Sequence, residues 1–226
     1  MPPSSSPRHT GLCAYCGRMG PVTRDHPIPR ALFGPTPPSN LITVPACGPC
    51  NTAKSTLDVY LRDYLVMDIQ GHNHPVASSL FKTKVLKSFR RNSSDLARTC
   101  LSSAALRPLY TSGGLFLGSA PQAPIDEHRL SEALSSVVRG LSFHFRKHPL
   151  PDGVKFQVRR HMPWHFAAVK EAFANLPRHA PQPLGTVFWC EYAVTADSPQ
   201  VSLWLLSFYD RVVFTVGTEP SASASA

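Results

Sequence analysis

The chain has 226 residues, 42% of them apolar, which suffices for one large domain or two modest ones around a packed core. No apolar run approaches the ~20 residues needed to cross a bilayer, and the opening "MPPSSSPRHT" lacks the apolar centre of a secretory signal. The expectation is a soluble, cytoplasmic protein whose thiols stay reduced. Its net charge of +9 is uneven: residues 1–75 carry six Lys/Arg against four Asp/Glu, and residues 76–226 carry seventeen against ten. A basic surplus favours polyanionic partners, nucleic acid above all.

Residues 1–10 and the tail 218–226, with "SASASA", are low in complexity and predicted to be disordered. Residues 11–55 hold four of the six cysteines and many turn-formers. Helical spacing begins at Ser55 and runs to Met67, with Leu57, Tyr60, Leu61, Tyr64 and Leu65 on one face. "GHNHP" (71–75) breaks that helix and reads as a loop. A second helical stretch is expected at about 77–106, with Leu80, Val85, Leu86, Phe89 and Leu96 as its apolar face, and "TSGGLFLGSAPQAP" then reads as a linker. Asp126 or Ser131 can cap a helix ending near Lys147. The remainder alternates as strands do at 154–158, 186–194 and 202–217, the last containing two strands that meet at Tyr209–Asp210–Arg211, with a short helix near 163–175. The units expected are 11–70, a basic helical segment at 76–110, and an α+β domain with an antiparallel sheet at 124–217.

Two knuckles dominate the first unit: Cys13-x2-Cys16, thirty residues, then Cys47-x2-Cys50. Each offers two thiolates to one tetrahedral Zn²⁺, and together they make a closed four-sulfur shell, so the ion is structural. A segment this poor in apolar residues needs such a staple to fold. Between the knuckles lie "TRDHPIPRALFG" (23–34) and "SNLITVPAC" (39–47). Asp25 supplies a hard oxygen ligand beside the titratable imidazole of His26, and Asn51, just after the last cysteine, supplies a neutral oxygen. That set suits metal-assisted phosphodiester hydrolysis, with Mg²⁺ on the oxygens and a neutral His taking a proton from water.

The order "C-x2-C … DH-x-x-P … SNLITVPAC-x-x-CN-x-x-K" resembles the HNH endonuclease family in its zinc-clamped ββα-metal form, over residues 13 to about 62. The resemblance implies a small zinc-stapled ββα-metal domain followed by helices and an α+β domain. It implies that Asp25 and Asn51 bind the catalytic metal, Mg²⁺ or another divalent cation, and that His26 is the general base. Asn40 matches the asparagine that braces the loop bearing the base, and Lys54 a residue that faces phosphate. DNA is the implied partner, cut to 5′-phosphate and 3′-hydroxyl ends. The family often has histidine where this chain has Asn51, which points to an oxygen-preferring metal there. The region around "VVRGLSFHF" (137–145) resembles one that follows such modules in uncharacterised bacterial HNH proteins, and brings no activity with it.

Outside the clamp, Lys82, Lys84, Lys87, Arg90 and Arg91 form a basic strip suited to a phosphate backbone. The literal string His72–Asn73–His74 is a loop rather than a site. Cys100 and Cys190 read as buried small hydrophobes, and Trp164, Trp189 and Trp204 as core. Two rivals share these features: a non-catalytic, zinc-dependent nucleic-acid-binding protein, and an interaction protein for which the clamp is only a scaffold.

Overall fold

In the computed structural model, the residues described are 9–91, 95–111, 113–122 and 124–220. The expectations of disorder at 1–8 and 221–226 lie outside them, whereas His9 and Thr10 already belong to strand β1 (His9–Leu12) and Thr218 and Glu219 end the last strand (Val212–Glu219). Strand β1 pairs with β2 (Met19–Asp25), which pairs with β3 (Val44–Cys47), all antiparallel. Helix α1 (Gly48–Met67) follows at once. It starts seven residues before Ser55, because its first two turns point the Cys50 thiol and Lys54 inward rather than the apolar side chains that signal a helix. Tyr60, Leu61, Tyr64 and Leu65 then bury the face expected of them.

The second helical stretch is broken. Helix α2 (Pro75–Leu80) passes through a π-helical turn (Phe81–Val85) into α3 (Leu86–Arg91), and α4 (Asp95–Ser103) is separate. The expected linker is instead a two-stranded hairpin, β4 (Ala105–Tyr110) and β5 (Phe116–Gln122). It stands apart from the other sheets. Its register shift at Leu109/Tyr110 and its prolines suit a ribbon with open edges.

Asp126 caps α5 (Glu127–Arg146), accepting from the Arg129 N–H, and Lys147 closes it in a left-handed conformation. The last sheet has the order β6 (Lys155–His161), β10 (Val212–Glu219), β9 (Ser202–Phe208), β8 (Phe188–Val194), β7 (Arg178–His179), all antiparallel, with α6 (Phe166–Ala174) on its outer face. The protein is thus α+β, as expected. A single apolar cluster runs from Ile28 and Leu32 through Leu61 and Leu65 of α1 and Leu134 and Val138 of α5 to Trp204 and Phe214 of the sheet. The three expected units therefore share one core.

That shared core reaches the loop between β2 and β3. Tyr209 and Asp210 both take positive φ in the β9–β10 turn, which matches the twist of a tight hairpin. The strain on a tyrosine there is offset by burial and by a hydrogen bond from its hydroxyl to the Leu32 carbonyl, 2.9 Å. Gly140 of α5 lies directly under Pro27: a Cβ there would come within 2.7 Å of the proline ring and 3.1 Å of the Tyr15 hydroxyl. The C-terminal half therefore props the loop that carries His26.

Candidate metal centre and active site

The first knuckle turns on Gly17 at φ 65°, whose N–H reaches the Cys13 carbonyl at 2.9 Å. The Ala14 N–H donates to Pro45 at 2.8 Å, fastening this turn to β3. Cys47 ends β3 and caps α1, placing Cys50 in the helix's first turn. All four sulfurs lie within 4.8 Å of one another, and Cys16 and Cys47 are 3.8 Å apart. Thiols at that spacing are unbridged, while metal–sulfur bonds of ~2.3 Å in a tetrahedron need sulfurs ~3.8 Å apart. The four cysteines can hold one metal ion. Burial raises the Cys13 and Cys50 thiols, so four thiolates there require a cation. Burial also opposes ionisation at Cys16, but hydrogen bonds from the Arg18 side chain and backbone and from the Cys13 and Cys50 thiols together outweigh it and draw it down to about 6.

Beside this clamp, α1 crosses β2. Residues alternate along a strand, so Thr23 and Asp25 share the face that meets the helix. Asn51 donates through Nδ2 to the Thr23 hydroxyl at 3.3 Å, and its amide oxygen makes no hydrogen bond among the described residues. One helical turn on, Lys54 approaches Asp25 Oδ2 at 3.7 Å, and the Tyr15 hydroxyl donates to that same oxygen. Asp25 Oδ1 makes no hydrogen bond among the described residues and is not sealed from solvent. His26 is half-buried, with Nδ1 3.0 Å from the Ile42 carbonyl. A carbonyl only accepts, so Nδ1 carries the proton and Nε2 presents a lone pair. The fold thus puts Asp25 at the end of β2, His26 directly after it, and Asn51 on the helix packed against that strand.

No protein-family model, no curated protein and no solved structure matches this chain.

Two other expected roles come out differently. Lys54 is only 2% exposed, and its ammonium bonds both Asp58 oxygens at 2.8 Å and the His26 carbonyl at 2.9 Å. It is an interior strut and does not face a phosphate. Asn40 is exposed in a turn, and its side chain makes no hydrogen bond among the described residues. It braces nothing here. Sequence reasoning missed Tyr15, hidden inside a knuckle valued for its cysteines, and Asp58. The latter had a signal: Lys54 and Asp58 are four apart on a helix. Burial pushes the Asp58 carboxyl up to about 6 in spite of Lys54.

Lys82, Lys84, Lys87, Arg90 and Arg91 are all exposed on the π turn and α3. His74 of the literal tripeptide caps α2 through Nδ1 and reaches the Thr186 hydroxyl at 2.9 Å, a joint between the two halves. Cys190 and Trp204 are buried, whereas Trp164 is 71% exposed, a correction to its expected place in the core. It is the middle residue of the exposed 3₁₀ turn Pro163–His165 ahead of α6. Among the described residues, no helix is long and apolar enough to cross a membrane.

Proposed function

We propose that this protein is a metal-dependent endonuclease of the HNH type that hydrolyses phosphodiester bonds in DNA. One observation carries the reading: His26 is oriented through Nδ1 on the Ile42 carbonyl, directly after Asp25 and beside the helix that bears Asn51. His26 Nε2 takes the proton from the attacking water. Asp25 Oδ1 and the Asn51 amide oxygen are hard donors that would hold Mg²⁺ or another divalent cation. Such an ion, when bound, polarises the phosphate and stabilises charge on the leaving oxygen.

In this reading the four cysteines hold zinc, whose closed shell leaves it structural. Lys54 fixes the Asp25 carboxylate and the His26 carbonyl together. A four-thiolate site persists where thiols stay reduced, which supports a cytoplasmic setting. DNA lies along the exposed cations of the π turn and α3. The test is incubation of end-labelled DNA and RNA with the zinc-loaded protein and Mg²⁺. New 5′-phosphate and 3′-hydroxyl ends on DNA are expected.

A second reading, a zinc-dependent nucleic-acid-binding protein without cleavage, draws on one observation. The Lys54 ammonium already stands 3.7 Å from Asp25, where it competes electrostatically with a divalent cation. Duplex binding with no metal-dependent cleavage would favour it.

A further inference from the structure

Between the loop that follows His26 and the π turn lies a cleft of about 570 Å³. Its polar lining is Arg30, Arg62, Lys84, Ser79 and Thr83, and no acidic side chain reaches it. Among the described residues, Arg30 and Lys84 form no ion pair, while Arg62 is paired with Asp63 at 2.6 Å. The cleft therefore carries two uncompensated cations and two hydroxyls. Leu80, Ala31 and Pro35 supply an apolar wall. The volume exceeds that of a lone phosphate and fits one nucleotide-sized group, with cations for its phosphate and apolar surface for its sugar.

Three features align this cleft with the candidate site. Arg30 is four residues past His26, so the two Cα atoms lie within about 14 Å. Arg62 is eleven residues beyond Asn51 on α1, which is about three turns, so both stand on nearly the same helix face about 16 Å apart. The third is the π turn at Phe81–Val85, where Thr83 hydrogen-bonds Ser79 and which delivers Thr83 and Lys84 to the cleft wall. Such insertions into helices concentrate at functional sites. A strand passing the end of β2 carries a phosphate every ~3.4 Å of axis, so a neighbouring phosphate is within reach of Arg30.

We propose that the cleft walled by Arg30, Arg62 and Lys84 binds a backbone phosphate of a polynucleotide, a few nucleotides from the bond attacked. The proposal rests on the nuclease reading for its purpose, and it can fail separately. Arg30 and Lys84 are exposed, so an Arg30→Ala/Lys84→Ala double variant retains its fold, which a matched melting curve checks. Binding of a labelled duplex without added Mg²⁺ is measured from 50 to 200 mM salt. The double variant should bind at least about tenfold more weakly, with a salt slope smaller by about 2. A Lys155→Ala/Arg159→Ala variant, which removes the same charge from β6, should change affinity less than about twofold.

Equal losses in the two variants would reduce the effect to bulk charge and overturn the proposal. Competition by a nucleoside monophosphate at micromolar levels would overturn the polynucleotide assignment. If the wild type cuts DNA while the cleft variant binds and cuts equally well, the cleft proposal falls and the nuclease reading stands. If nothing cuts but the cleft variant alone loses duplex binding, the reverse holds.

Discussion

The Lys54 ammonium bonds both carboxylate oxygens of Asp58 at 2.8 Å while being almost wholly buried. Removing one partner of a buried pair leaves the other uncompensated and costs about 3 kcal/mol. Lys54→Ala strands two carboxylates, Asp58 and Asp25. Urea denaturation should show about that loss, and Lys54→Met combined with Asp58→Leu, which leaves only Asp25 without its cation, should recover part of it. A single variant as stable as wild type would contradict the strut role.

Gly140 offers a sign test. In a helix interior, alanine is favoured over glycine by about 1 kcal/mol. At Gly140 the added Cβ would meet the Pro27 ring at 2.7 Å, and a proline ring cannot swing aside. Gly140→Ala should therefore destabilise the protein and displace the loop that carries His26. A raised melting temperature would show that the loop yields freely.

The roles of the two knuckles and of Asn51 separate by mutation. Cys47→Ser removes one of the four sulfurs, and metal binding supplies much of the folding free energy of such clamps. It should lose the bound ion and the N-terminal far-UV signal together, as should strong chelation of wild type. Asn51→Ala removes one 3.3 Å contact to Thr23 and should keep both. Metal analysis beside circular dichroism reads the difference.

Stability should depend on pH through wholly or partly buried histidines. Burial lowers His74 and His161 below their ordinary 6.5. The unfolded chain then binds more protons, so their contribution is complete above 6.5 and is lost as pH falls through the folded values. Asp58, raised from 3.8 to about 6, acts with the opposite sign, adding stability as pH falls through about 6 toward 3.8. Urea midpoints should fall as pH drops below 6.5, less steeply than the histidines alone would give because Asp58 opposes them, and His74→Gln should flatten that slope. An unchanged slope in the variant would contradict the assignment.

The four-cysteine clamp was legible because its spacing has few alternative meanings, and the C-terminal sheet because its alternation is long. The Tyr209–Asp210 turn was placed correctly by the break between two strand patterns. Helix α1's start was not legible, since residues 48–54 carry no apolar periodicity. The hairpin β4–β5 escaped for a related reason: its large apolar residues, such as Leu106 and Leu117, are exposed, so no buried face imposes an alternation. Lys54 was misassigned because a lysine near an expected phosphate site is ordinarily solvated, and only its contacts with Asp58 and His26 reveal an interior role.

The central claim is that His26, oriented by Ile42, serves as the base for DNA hydrolysis. Zinc-loaded wild type and His26→Ala, matched for metal content and melting temperature, should be incubated with supercoiled plasmid, with and without Mg²⁺. Mg²⁺-dependent nicking or linearisation by wild type is expected, reduced at least a hundredfold in the variant. Equal cleavage by both proteins, or none by wild type with any divalent cation, would contradict it.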